Sequence, residues 1–204
     1  MAGRLIFILG NPGTGKSSSL ASLDNKEVAY ITATGKELPF RSNIKPHPVK
    51  SMADVKKMIQ VSKKPIVVID DVNYLFTRAV FGASEKDDKW GVFDKISKDF
   101  FGLIEAIGNK DLDQNFYLMG HLENPEATVK ELKTLGQSTR KNNNPEGWAN
   151  IVLESVVELD EFVFKVKTDG TGVKAPREMF DTDTLPNDLK IVNDKINKYY
   201  KGGK

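Results

Sequence analysis

The sequence predicts an α/β protein: a mostly parallel, doubly wound sheet that ends in an antiparallel C-terminal hairpin and a C-terminal helix. Three observations carry that prediction. Short apolar runs at Arg4–Leu9, Glu27–Thr32, Pro65–Asp70 and Asn115–Gly120 alternate with helical spacing, as strands buried on both faces of a parallel sheet require. The first run leads straight into Gly10-Asn11-Pro12-Gly13-Thr14-Gly15-Lys16-Ser17-Ser18, a glycine-rich turn at a strand's carboxyl end. After Trp148 the pattern changes to two strand-like runs, Ala149–Val157 and Glu161–Thr168, joined by a tight turn at Leu159-Asp160.

Composition sets the bounds. A chain of 204 residues makes one domain, residues 1–204, with room for a sizeable core. Its apolar fraction of 39% and charged fraction of 28% argue against long disordered tracts. A net charge of +2 means that any polyanion must be met by a local patch, not by the whole surface. There is no cysteine, which excludes disulfides and thiolate metal sites and fits a reducing compartment. The N-terminal apolar run, Leu5–Leu9, is too short for a signal-peptide core or a membrane span, so a cytoplasmic protein without membrane contact is expected.

The first motif is G-x-x-x-x-G-K-S, a P-loop. Gly10, Gly13 and Gly15 let the backbone turn its N–H groups inward, and the helix expected from Lys16 to about Leu23 points its positive end at the same place. In that frame residues Gly10 to Ser18 bind phosphates, Lys16 reaches the β- and γ-phosphates, and the Ser17 hydroxyl sits on Mg²⁺. The run Ile66-Val67-Val68-Ile69-Asp70-Asp71 fits a Walker B strand, with Asp70 as the second metal-holding group. The chemistry expected is Mg-dependent attack of water on a γ-phosphoryl group. Asp71 is the first candidate to orient or deprotonate that water, with Glu37 and Glu123 as alternatives. His121, at the end of the strand expected between the other two, is either a γ-phosphate sensor or an ordinary loop histidine. No residue pattern specifies the base.

The remaining chain is less specific. Lys36–Pro48 reads as an irregular surface segment, and Ser51 as the N-cap of a helix running to about Ser62. Arg78–Lys89 reads as a polar loop, followed by a helix over Trp90–Gly108 whose Ile96, Phe100, Leu103 and Ile107 fall on one face. Asn124–Gly147 is a long loop bearing Lys130, Lys133, Arg140 and Lys141, which either contact nucleic-acid phosphates or are simply solvated. A final helix, at about residues 187–200, is capped by Asn187 or Asp188.

Taken together, Gly10–Ser17, Val68-Ile-Asp-Asp-Val-Asn-Tyr-Leu75, Phe116–His121, Val173–Phe180 and Leu185-Pro-Asn-Asp-Leu189 resemble phage-encoded AAA/RecA-like NTP-binding proteins, the single-domain ATPases of the Sak recombinase group. The resemblance runs from Leu5 to Tyr200. It implies a RecA-like P-loop NTPase core that binds ATP and Mg²⁺, forms a homo-oligomer and, in some members, binds single-stranded DNA during phage recombination or replication, in the cytoplasm of the infected host and alongside a single-strand-binding protein. By position it implies nucleotide binding at Gly10–Ser18, metal at Ser17 and Asp70, and sensing at His121. It also implies a DNA-facing loop containing Lys130–Lys141, and Lys174 or Arg177 as a cation offered to a neighbour's nucleotide; these two are equally read as ordinary exposed cations. One departure stands out: RecA-like recombinases carry a catalytic glutamate after the second strand, where this chain has Thr32-Ala33-Thr34.

Three function classes follow. The first is an ATPase acting on single-stranded DNA. The second is a nucleotide-gated binding module, such as a helicase or polymerase accessory, with little turnover. The third is a small P-loop nucleotide kinase, which the few scattered arginines disfavour because such enzymes close an arginine-bearing lid over the phosphates.

Overall fold

Strands β1 (Arg4–Leu9), β2 (Val28–Thr32), β4 (Ile66–Asp70) and β5 (Asn115–Gly120) are buried along their whole length, which is why their sequences are continuously apolar and not alternating. They are the centre of one eight-stranded sheet of order β3-β2-β4-β5-β1-β6-β7-β8. The computed structural model describes residues 3–83, 88–110, 113–134, 144–168 and 170–202. Pairing is parallel from β3 (Pro46–Pro48) through β1 to β6 (Ile151–Glu158). It turns antiparallel at β7 (Glu161–Lys165) and β8 (Thr184–Pro186). The expected α/β class, mostly parallel sheet, antiparallel end and C-terminal helix are therefore all present.

Alternate side chains of each strand feed two cores. On one face Leu5, Phe7, Leu9, Val67, Ile69, Phe116 and Leu118 pack against three helices: α1 (Met52–Val61), α2 (Asn73–Phe81) and α3 (Lys89–Gly108). Phe100 of α3 is fully buried there, its ring edge-on to Phe76 at 5.0 Å between centroids. On the other face Ile6, Ile8, Val68, Tyr117 and Leu153 pack beneath Leu20 and the C-terminal helix α5 (Leu189–Lys201). A short helix, α4 (Pro145–Trp148), precedes β6. Caps follow the sequence signals: Ser51 accepts from the Asp54 N–H, and Asp188 accepts from the Lys190 and Ile191 N–H groups. No helix among the described residues is long and apolar enough to cross a membrane.

Four local expectations are corrected, and one short strand, β8, is added. In place of a helix from Lys16 to Leu23 there is one 3-10 turn, Ser17–Leu20. The serine run explains this: the Ser19 hydroxyl donates to the Lys16 carbonyl at 2.6 Å, and a turn at Asp24 follows at once. Arg78 lies in helix α2 and not in a loop, because Leu75 and Phe76 anchor that segment to the core. Residues Pro46–Pro48 form an exposed edge strand beside β2, a place where proline is tolerated because the outer N–H has no partner to lose. β8 is only three residues long, too short to leave a period in the sequence. The stretch 124–147 is not wholly irregular: α4 starts at Pro145, capped by Asn144, and Leu132 bridges back to Leu122. Residues 135–143 lie outside the described part.

Phe100→Ala deletes a fully buried ring between two aromatic neighbours, Phe76 and Phe101. It should lower the unfolding free energy by about 3–5 kcal/mol, read as a shift of the denaturant midpoint at unchanged slope.

Candidate functional site

The parallel strands β1, β4 and β5 end side by side, so the residues that follow them converge at one edge of the sheet. A cleft of about 370 Å³ opens there, lined among others by Gly13, Gly15, Lys16, Ser17, Asp70 and Asp71, and by His121. A larger cleft, about 860 Å³, lies among α1, α2 and α3 but contains none of these groups. Chemistry, and not size, marks the smaller one.

The P-loop owes its shape to its glycines. Gly13 and Gly15 have φ of +81° and +88°, and a Cβ on Gly10 would stand 2.5 Å from the Ser155 carbonyl oxygen. Strand β6 braces the loop from that side, where the Ser155 hydroxyl donates to the Thr14 carbonyl at 2.7 Å. Lys16 folds across the loop, its Nζ donating to the Gly10 and Asn11 carbonyls at 2.8 Å each. Burial lowers its pKa to about 8, against the pull of Asp70 and Asp71.

Asp70 is the focus of the site. Its Oδ2 accepts from the Ser17 hydroxyl at 2.7 Å and the Tyr30 hydroxyl at 2.9 Å, and its Oδ1 accepts from the Asp71 N–H at 2.9 Å. Burial pushes this carboxyl up, and the hydrogen bonds donated to it favour the ionised form. Tyr30 reaches Asp70 because its Cα is paired with Val68, two residues earlier on the same face of β4. Burial, with Asp70 beside it, pushes the Tyr30 phenol well above its ordinary range, so it remains a donor.

Asp71 has a left-handed backbone, φ +60°. For a residue other than glycine this is a strained conformation of the kind that clusters at functional sites. The turn aims its carboxylate into the cleft, where Oδ2 accepts from the Thr34 hydroxyl at 3.1 Å. On the far side His121 spans the gap: Nε2 lies 3.6 Å from Asp71 Oδ1, and Nδ1 lies 3.4 Å from the Gly10 carbonyl. Burial, and then Lys16, lower the imidazole pKa, which favours the neutral ring. The Asn73 side chain fixes this corner, accepting the His121 N–H at 2.6 Å and donating to the Lys133 carbonyl.

The Ser17 hydroxyl and the Asp70 carboxylate lie together and could serve a hard cation as two oxygen ligands. Among the described residues no group of three or more His, Asp or Glu could hold a metal by itself. One hydroxyl and one carboxylate fit Mg²⁺, which keeps several waters and shares its remaining positions with phosphate oxygens.

Lys16, Ser17, Asp70, Asp71 and His121 thus meet, and so does Glu37, which lines the same cleft. Glu123 does not line it; its Oε2 accepts the Thr134 N–H at 2.9 Å. Lys130 turns inward, with Nζ 3.6 Å from the carboxylate of buried Glu154. Lys133 is exposed, and its N–H donates to the His121 carbonyl at 2.7 Å. Arg140 and Lys141 lie outside the described residues. Lys174 pairs through its backbone with Val152, and burial lowers its pKa; Arg177 is exposed beside a separate cleft. Sequence reasoning missed Tyr30, Thr34 and Asn73. For Tyr30 a signal existed, since a phenol on a strand buried on both faces must find a hydrogen-bond partner.

Compared with known protein-family models the chain matches none, and no curated protein matches it.

Tyr30→Phe keeps the ring and removes one of the two hydroxyl donors to Asp70. It should cost about 1.5–3 kcal/mol of unfolding free energy, the range for a hydrogen bond to a charged group, measured by chemical denaturation without divalent cations.

Proposed function

We propose that the chain is a Mg-dependent P-loop ATPase with a RecA-like core, acting with single-stranded DNA in phage recombination or replication. One observation carries the triphosphatase part of this reading. Lys16, Ser17, Asp70 and Asp71 come from two stretches far apart in sequence yet line one cleft at the carboxyl ends of parallel strands, and His121 joins them from a third. The strand order supports the RecA-like assignment, because β5 stands between the P-loop strand β1 and the acidic strand β4 and delivers His121 between them.

In this reading the P-loop N–H groups and Lys16 bind the β- and γ-phosphates. Ser17 and Asp70 would hold Mg²⁺, which would supply positive charge against the negative charge of the phosphates. Asp71 orients the attacking water, its carboxylate held between Thr34 and His121. Thr34 stands in the region where RecA-like recombinases carry glutamate, so the acid is supplied one strand over.

DNA coupling draws on a narrower base. The exposed Lys133 belongs to a loop whose backbone is hydrogen-bonded to His121 on one side and to Asn73 on the other. Contact of that loop with a DNA phosphate is thereby linked to the phosphate-facing histidine. Assembly into a homo-oligomer, a trans role for Lys174 or Arg177, and work beside a single-strand-binding protein belong to the same proposal. The second reading, a nucleotide-gated binding module, is favoured by the hydroxyl residues Thr32 and Thr34 in place of a glutamate.

Phosphate release should be Mg-dependent in the native chain and fall by about a hundredfold or more in Lys16→Ala and in Asp71→Asn. Asp71→Asn should still bind Mg-ATP, since it removes no phosphate ligand. Stimulation by single-stranded DNA, lost in Lys133→Ala, supports the coupled ATPase. Tight Mg-ATP binding without turnover, with or without DNA, transfers the assignment to the gated module.

A further inference from the structure

The sequence offers no element that receives the base, but one side chain at the mouth of the cleft is unexplained by phosphate chemistry. Phe162 lies on β7 and shares its face with Phe164, which is fully buried in the core beneath α5. Phe162 itself is 49% exposed. It lines the same cleft as Lys16 and Ser17. Its ring is pressed to the P-loop: a Cβ on Gly15 would meet ring carbons at 2.9 and 3.2 Å. Asn187 flanks the same point, with Oδ1 3.0 Å from that Cβ position, and its N–H donates to the Phe162 carbonyl at 3.2 Å.

The ring therefore has one edge fixed on the phosphate loop and a large apolar surface left to solvent, on a hairpin braced by the bond from Ser155 to Thr14. We infer that Phe162 is the stacking platform for the base of a nucleoside triphosphate whose phosphates occupy the P-loop. This rests on the phosphate-binding reading above and adds the half of the ligand which that reading leaves open. Stacking on an aromatic face strengthens binding of any base, because every base has a π-face, and does not select its identity. The site thus takes nucleotides as a class in preference to bare polyphosphate.

The test compares Mg-ATP with Mg-tripolyphosphate, which carries the phosphates but no base, by calorimetric titration of the native chain, Phe162→Leu and Phe162→Trp. Leucine keeps apolar bulk over Gly15 and removes the π-face. Expected is a loss of about tenfold in ATP affinity for Phe162→Leu, with tripolyphosphate affinity unchanged and ATP affinity retained in Phe162→Trp. The tryptophan variant should also show an emission change with ATP, absent in the native chain and absent with tripolyphosphate. Equal losses for both ligands in Phe162→Leu would overturn the platform and make Phe162 a packing residue of the P-loop. Unchanged binding of both would overturn it as well. A native chain that binds tripolyphosphate as tightly as ATP would remove the base site while leaving the phosphate site standing. One that binds neither would remove both.

Discussion

A carboxylate cannot be taken out of water without donors around it, and the burial of Asp70 organises this end of the molecule. Its partners come from three different places: Ser17 after β1, Tyr30 within β2, and the backbone of Asp71. Each must be delivered in register, so the parallel pairing of β2 with β4 and the position of the P-loop are tied to one charge. Two oxygens receive three donated bonds, and the same oxygens are the ones a cation would take. On the proposed reading, the network that keeps the acid tolerable in a folded chain would also supply the protein's share of the Mg²⁺ ligands.

The neighbouring acid is treated in the opposite way. Asp71 is held in left-handed backbone geometry, partly open to solvent, and leans on Thr34 and His121 instead of being enclosed. Adjacent carboxylates in one cleft repel each other, and here they take different partners: Asp70 is held by Ser17 and Tyr30, Asp71 by Thr34. One is fixed and dry; the other is half-buried and lines the cleft. On the proposed reading, that division gives one metal-holding role and one water-orienting role to two consecutive residues.

Much of this was legible before any coordinates. The buried strands declared themselves because both faces of a parallel sheet are covered, and the tight turn after β1 because glycine is needed where φ is positive, at Gly13 and Gly15. The hairpin at Leu159-Asp160 was readable from the alternation of Phe162 and Phe164 with charged neighbours. What failed was local in origin. After Lys16 the expected helix shortens to a single turn, where the Ser19 hydroxyl takes the Lys16 carbonyl, and α2 was hidden because its apolar contacts, Leu75 and Phe76, are too few to print a period. Asn73 was invisible for another reason: its partners, His121 and Lys133, lie tens of residues away, and no spacing rule reaches that far; for Tyr30 the need of a partner was readable but Asp70 as that partner was not. Lys130 shows the reverse case, a loop cation whose inward partner Glu154 could be known only from the fold.

The two outer strands, β3 and β8, share an unremarked property: each has three residues and each carries proline, Pro46 and Pro48 in one and Pro186 in the other. Proline offers no N–H to an incoming strand, and three residues give little length to pair with. The sheet is therefore closed to lateral growth at both margins. Copies of this chain crowded in a concentrated solution find little ladder to extend at either β3 or β8.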